Sequence, residues 1–414
     1  MTFEFVGTER RWQAIKQSGT RELQIFDVRA TNPLPALATY TNFITTHSEF
    51  TSHDILTKPN VMLYCLSADT AYFIQHDVGE NLLDTRKHPI VSLAQATLAK
   101  KLIRMPRKDF VSFCKPLNVD HVKNAVLMFN GVRSGTTAYT QMFNALPGWI
   151  AISEIMPLFA LFESHGDGIL DFVKSVEFET ITESLFKFNL KHIPASAEGV
   201  FMKLTVFDEH MTPILTKLFP RFKLILAYRN VKGAGKSFHK VLFPLFGEEM
   251  LKLSRDPLTL DIVATRQRLM NTLGYVSDFV RQLLTEVRPQ ELIEWYVLQW
   301  AIRIHLLSQA EINQGSKIYP LRYEDFMKDQ AGSLATLFDY LGIDQKNLGI
   351  ALESFKVDSQ DGTFLSKKAR VNNSDWIRTE GCVARCNRIL NAFNLPDFDS
   401  DFSYKHWINE GNQK

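Results

Sequence analysis

Three short stretches of the chain gather residue types suited to holding an anion. The first is Gly131-Val-Arg-Ser-Gly-Thr-Thr137, which follows the apolar run Ala125-Val-Leu-Met-Phe-Asn130 and precedes an amphipathic stretch. A strand, a glycine-containing turn and a helix N-terminus aim backbone N–H groups and the positive helix end at one point, a ready site for phosphate or sulfate. Thr136 and Thr137 add hydroxyl donors, and Arg133 adds a fixed cation. A nucleoside-triphosphate loop of the form GxxxxGK(S/T) requires a lysine after its second glycine, where this chain has Thr136. A nucleoside triphosphatase is therefore disfavoured. By itself the Ser-Gly-Thr-Thr run would equally suit an ordinary helix cap.

The second stretch is the apolar run Phe222 to Tyr228, which ends in Arg229, with Ser237 eight residues further on near the start of the next helical segment. An arginine at the carboxyl end of a parallel strand points into the crevice where open α/β sheets bind ligands, and Ser237 approaches the same anion. The third is Leu321-Arg-Tyr-Glu-Asp-Phe326, again after an apolar run, whose Tyr323 offers a ring able to stack on a base.

From Ala125 onward, short apolar runs alternate with longer helical ones, the pattern of βαβ units around a parallel sheet. Strands are expected at Ala125–Asn130, Val200–Val206, Phe222–Tyr228 and Lys317–Leu321. Helices are expected at Thr137–Ala145, Met211–Phe219, Ala234–Val241, Val263–Leu284 and Glu291–Asn313, the last burying Ile293, Tyr296, Val297 and Trp300. The first 120 residues mix β-like runs at Leu23–Val28, Val61–Leu66 and Ala71–Gln75 with an amphipathic stretch from Ile90 to Ile103. That stretch runs into the basic cluster Lys100, Lys101, Arg104, Arg107 and Lys108, read as a solvated helix end or linker. The expected division is an α/β accessory region over 1–120 and a main α/β domain over 121–414.

These motifs, in this order, resemble the sulfotransferase superfamily over roughly Ala125 to Asn394. The resemblance implies a P-loop-NTPase-like three-layer fold with a central parallel sheet. It also implies transfer of a sulfuryl group from 3'-phosphoadenosine 5'-phosphosulfate (PAPS), releasing 3',5'-adenosine bisphosphate, without a metal. Arg133, Ser134, Gly135, Thr136 and Thr137 would then form the 5'-phosphosulfate loop, Arg229 and Ser237 would hold the 3'-phosphate, and Tyr323 would lie by the adenine. The nearest likeness is to the tyrosylprotein and carbohydrate branch, which uses a glutamate as base. Pro147, Glu154 and Lys203 fall where that branch has its proline, its catalytic glutamate and a catalytic lysine.

The chain departs from the family at three points. Val132 stands where a proline usually precedes the loop's basic residue. The segment Ser359 to Arg370 replaces a basic nucleotide-covering loop, and its Ser359, Ser366, Lys367 and Lys368 are the residues available to close over the nucleotide. Members of the glutamate branch are usually membrane-anchored, whereas the longest apolar run here, Ile155 to Phe162, falls far short of a bilayer span. The expected acceptor is accordingly a small molecule or carbohydrate, met by Ile155–Lys191 and Val241–Leu273. The rival readings are a metal-dependent nucleotide kinase on the same scaffold and a non-catalytic nucleotide-binding protein.

Composition sets outer bounds. The chain has 414 residues, 45% apolar and 22% charged, which suits an enzyme-sized globular body of two or three domains. With 47 basic and 45 acidic residues the formal charge is +2, so no global field draws it to nucleic acid or an anionic membrane. Any anion site must be local. Four scattered cysteines, Cys65, Cys114, Cys382 and Cys386, and an N-terminus without an apolar leader pattern suggest a soluble protein of a reducing, cytoplasmic setting. Cys382 and Cys386 share a helical face with no second Cys or His pair to make a metal site. His165, His192, His210 and His239 read as structural or surface histidines.

Overall fold

Two five-stranded sheets, one antiparallel and one built on parallel ladders, organise the chain in the computed structural model. The structure describes residues 2–18, 22–31, 38–131, 133–154, 157–165, 169–205, 208–240, 278–361, 366, 377 and 380–405. Contacts divide the chain into two units: Met1–Lys123 with Ile152–Glu198, and Asn124–Ala151 with Gly199–Lys414. The segment 152–198, which the sequence pattern placed with the main domain, thus clusters with the N-terminal residues.

The first unit carries β1 (Glu22–Thr31), β2 (Phe43–Ser52), β3 (Val61–Leu66), β4 (Thr70–Gln75) and β5 (Lys101–Pro106), in the order β2-β1-β5-β4-β3. All its ladders are antiparallel. Helices Arg107–Cys114 and Val176–Leu190 bring Phe110 and Phe188 onto Phe73 of β4, with ring centroids 5.2 to 5.7 Å apart. Such edge-on aromatic packing adds to the apolar area it buries. The amphipathic stretch 90–103 corrects one expectation: the helix stops at Leu98, and the chain re-enters as β5, the central strand of the sheet. Burial on both sides of β5 explains the reading, because Leu102, Ile103 and Met105 continue an apolar period that a helix would also show. The basic cluster resolves into ion pairs, Lys100 with Asp77 at 3.5 Å, Lys101 with Glu49 at 3.7 Å, Arg104 with Glu9 at 3.2 Å, and Arg107 with Glu177.

The second sheet contains β6 (Ala125–Asn130), β7 (Trp149–Ser153), β8 (Gly199–Lys203), β9 (Lys223–Tyr228) and β10 (Ile318–Arg322), in the order β10-β9-β6-β8-β7. The ladders β10/β9, β9/β6 and β6/β8 are parallel. After β6 the chain first builds one side of the sheet and then crosses to the other. The strand order therefore reverses beside β6, and its carboxyl end is the topological switch point where open α/β sheets bind ligands.

Val126 and Met128 of β6, Phe201 of β8 and Ile225 of β9 pack on Tyr139, Met142 and Phe143 of helix Thr136–Ala145 and on Leu334, Leu337 and Phe338 of helix Gln330–Leu341. Phe143 and Phe201 stack at 4.2 Å. This apolar wall fixes where β6 hands over to its helix. The long helix Leu292–Gln314 buries Ile293, Tyr296, Val297 and Trp300, as its spacing required. Of the expected helix Val263–Leu284, the part before 278 lies outside the described residues, which show a helix at Asp278–Val287. No helix among the described residues is long and apolar enough to cross a membrane.

Candidate functional site

The loop after β6 is shaped by its own polar groups. Gly131 N–H donates to the Ala227 carbonyl of β9 at 2.9 Å, continuing the sheet by one bond. A Cβ at Gly131 would stand 2.4 Å from that same carbonyl, so the close approach demands glycine. Ser134 donates its N–H to the Gly131 carbonyl at 3.0 Å and its hydroxyl to the carbonyls of Gly131 and Ala227, the latter at 3.1 Å. Ser134 thus acts as the loop's internal brace, using both of its donors. The donors left at the helix start come from residues such as Thr137, whose N–H has no intrahelical acceptor.

Arg133 takes a left-handed conformation, φ 68°, which costs a non-glycine residue about 1–2 kcal/mol. The strained backbone turns its guanidinium across the loop: Nε donates to Ser237 Oγ at 3.1 Å and Nη1 to Gln360 Oε1 at 3.5 Å. Ser237 lies on the helix over 231–240 that follows β9. The structure therefore joins the β6 loop to the β9 loop through Arg133 and Ser237. Lys203 closes β8, is only 3% exposed, and donates from Nζ to Thr137 Oγ1 at 3.0 Å. Three strand ends, β6, β8 and β9, thereby converge on one polar cluster.

Arg229, just past β9, is held from several directions. Its carbonyl accepts from Trp300 Nε1 at 3.2 Å, and its guanidinium carbon lies 4.4 Å over the Tyr323 ring. Glu324 approaches Arg229 Nε at 3.6 Å, accepts from Asn230 N–H at 3.3 Å, and also stands 3.6 Å from Arg322 Nε. Arg229 Nε is buried and makes no hydrogen bond. A Cβ at Gly233 would come within 3.0 Å of it, so that glycine leaves room for the side chain. Tyr323 packs between Arg229 and Gly135, whose Cβ position lies 3.5 Å from the ring. One face of the ring expected beside a base thus carries Arg229.

Glu154 directly follows β7 with φ 51° and is half-buried, in the first of the two units. Arg133, Glu154, Arg288 and Asn394 are the non-glycine residues with positive φ among the described residues, and two of the four are expected site residues. Strain of this kind concentrates at functional sites. Ser153 donates its hydroxyl to the Pro89 carbonyl at 2.8 Å instead of capping a following helix.

In the segment 359–370, Ser359 offers its carbonyl to Gln141 Nε2 at 3.1 Å, and Ser366 is buried. Lys367 and Lys368 lie outside the described residues. Sequence reasoning gave no site role to Gln141, Gln360, Glu324, Trp300 or Gly233, although Gln360 and Glu324 lie inside segments it singled out and Trp300 was expected in the core. His239 is buried, and His165 stacks on Phe172 at 3.7 Å, while the side chain of His210 lies outside the described residues. All four cysteines are free and buried. Among the described residues no group of three or more His, Cys, Asp or Glu is placed to hold a metal ion.

No protein-family model and no curated protein matches the chain. Solved structures similar to it include sulfotransferases. A mouse sulfotransferase complexed with PAP shares 16% identity over 74% of this chain and 96% of its own, with a TM-score of 0.35. A sulfotransferase of Mycobacterium tuberculosis shares 12% over 69% and 81%, with a TM-score of 0.35. One from Alicyclobacillus acidocaldarius shares 11% over 62% and 99%, with a TM-score of 0.32.

Proposed function

We propose that this chain is a PAPS-dependent sulfotransferase that moves the sulfuryl group to a hydroxyl or amine of a small-molecule or carbohydrate acceptor. The observation that carries the reading is the convergence of Arg133, Thr137, Lys203 and Ser237 at the switch point of the sheet, with Arg229 beside them. The cluster is rich in donors: the Arg133 guanidinium and the Lys203 amino group meet the hydroxyls of Ser237 and Thr137, and Glu324 stands near Arg229. Arg229 supplies a cation for the 3'-phosphate, its guanidinium held over the Tyr323 ring with Glu324 3.6 Å from Nε.

In the proposed reaction the acceptor oxygen or nitrogen attacks sulfur in line with the bond to the 5'-phosphate oxygen. That bond breaks with its electron pair going to the phosphate, and 3',5'-adenosine bisphosphate leaves. Arg133, Lys203 and the Thr137 hydroxyl oppose the charge growing on the leaving phosphate and the transferring group, as fixed donors do in a water-poor site. Glu154 takes the acceptor's proton. Arg229 and Ser237 hold the 3'-phosphate, and Gly131 and Ser134 keep the loop in shape. Side-chain cations fill the place that a magnesium ion has in P-loop phosphotransferases.

Incubating the protein with 35S-labelled PAPS and a panel of phenols, alcohols, sugars and amines, in the presence of EDTA, tests this function. Label should pass to at least one acceptor class and survive chelation. Transfer of phosphate from ATP that requires magnesium would instead establish the kinase reading, and bisphosphate binding without transfer to any acceptor would leave a nucleotide-binding protein.

A further inference from the structure

Thr137 Oγ1 is the shared acceptor of two donors, Lys203 Nζ at 3.0 Å and Gln360 Nε2 at 3.4 Å. A hydroxyl has two lone pairs and one proton. With both lone pairs engaged, the proton is what Thr137 has left to offer, turned away from both donors toward a third group. Thr137 is 5% exposed, so an acceptor for that proton has to enter the site.

Gln360 is suited to hold this arrangement. Arg133 can only donate, so its Nη1 fixes the carboxamide with Oε1 facing the guanidinium and Nε2 facing Thr137. The backbone is preset: Asp358 Oδ1 accepts from Gln360 N–H at 3.2 Å, and the Asp358 carbonyl from Asp361 N–H at 3.1 Å. Gln141, one turn beyond Thr137 on the same helix face, ties down the Ser359 carbonyl at 3.1 Å. The two side-chain bonds of Gln360, at 3.4 and 3.5 Å, are long, which leaves slack for an anion to draw Arg133 and Thr137 inward.

We infer that Gln360 is a positioning residue of the donor site, aiming the Thr137 hydroxyl proton and the Arg133 guanidinium at an oxygen of the 5'-phosphosulfate. This inference rests on the reading of the site as a PAPS site. The side chain that Gln360 brings to the phosphate loop from the segment 359–370 is an uncharged amide.

The test is calorimetric titration of 3',5'-adenosine bisphosphate into wild type, Gln360→Ala, Gln360→Glu, Thr137→Val and the Thr137→Val/Gln360→Ala double variant, each first checked for an unchanged thermal melt. Gln360→Ala should bind about five- to tenfold more weakly, the effect of one neutral hydrogen bond. Gln360→Glu should be weaker still, by about a further tenfold, because its carboxylate takes Arg133 and repels the ligand. A space-filling role would rank the near-isosteric glutamate above alanine, and that ranking would overturn the inference. Because Gln360 acts through Thr137, adding Gln360→Ala to Thr137→Val should cost less than it does in wild type; full additivity would also overturn it. Binding by wild type with no change in Gln360→Ala defeats this inference alone. Failure of wild type to bind the bisphosphate defeats the PAPS reading, and this inference with it.

Discussion

Lys203 and Thr137, one closing β8 and the other in the first turn of the helix after β6, are joined by a 3.0 Å hydrogen bond, and both side chains are buried. The bond brings the Lys203 amino group from the end of β8 to the first turn of that helix. A buried ammonium costs desolvation energy that a structural residue would not need.

Replacing Lys203 with methionine should therefore leave the fold within about 1 kcal/mol of wild type, because the stem is kept and the desolvation cost is gone. Sulfuryl transfer should fall by about 10² to 10³, the loss seen when one fixed donor to developing charge is removed. Thermal melts and initial rates with PAPS read both quantities. A rate within twofold of wild type would remove Lys203 from the mechanism.

Arg133 combines a strained backbone with a guanidinium that reaches Ser237 and Gln360, and two substitutions separate these. Arg133→Gly and Arg133→Ala both delete the guanidinium, so both should weaken bisphosphate binding by about 1.5–3 kcal/mol. Only glycine accepts φ 68° freely, so Arg133→Gly should be more stable than Arg133→Ala by about 1 kcal/mol. Equal melting temperatures would show that the loop relaxes out of the left-handed conformation.

The parallel sheet was legible in the sequence because its inner strands β6, β8 and β9 are buried on both faces and stand as isolated apolar runs. β6 matches its expected span, Ala125–Asn130; β9 starts one residue later than expected, β10 is shifted by one residue at both ends, and β8 starts one residue early and stops at Lys203, short of the expected Val206. β2 and β7 were missed for different reasons. β2 is a sheet edge whose FITTHSEFTS sequence keeps only Phe43 buried, and β7 is five residues long. β5 was hidden inside a helical period, as the burial of Leu102, Ile103 and Met105 shows. In the candidate site, Arg133 and Arg229 stood out by their place after apolar runs, and Glu154 and Lys203 by the resemblance alone. Gln360 and Gly233 did not, because an amide or a glycine has meaning only through what it touches.

Glu154→Gln separates proton removal from nucleotide binding. A general base contributes about 10² to 10⁴ in rate, so kcat should fall by that factor while bisphosphate affinity holds. Glutamate and glutamine meet the same steric cost at φ 51°, so the exchange changes the carboxylate and not the backbone preference. Transfer that survives Glu154→Gln but disappears in His239→Ala would move the base to a histidine.

Burial lowers the pKa of His305, and it does the same for His76, where the Asp77 carbonyl opposes the shift. An unfolded histidine titrates near about 6.5. Below that pH the unfolded chain takes up protons that the folded chain refuses, so stability falls as pH drops through about 6.5 toward the folded values and is fully present above it. Melting temperature should decline from pH 7 to 5.5, and His305→Asn should flatten the decline. An unchanged slope in that variant would remove His305 from the pH dependence.

The central claim is a site for a 3'-phosphorylated adenine nucleotide, and isothermal titration of wild type and Arg229→Ala addresses it most directly. Wild type should bind 3',5'-adenosine bisphosphate in EDTA and prefer it over adenosine 5'-monophosphate. Arg229→Ala should lose about 1.5–3 kcal/mol with the bisphosphate, the worth of a charge-assisted hydrogen bond, and little with the monophosphate. Because the guanidinium lies over Tyr323, Arg229→Lys should not restore the preference. Tight binding of ATP with magnesium, together with equal affinity for the bisphosphate and the monophosphate, would contradict the account.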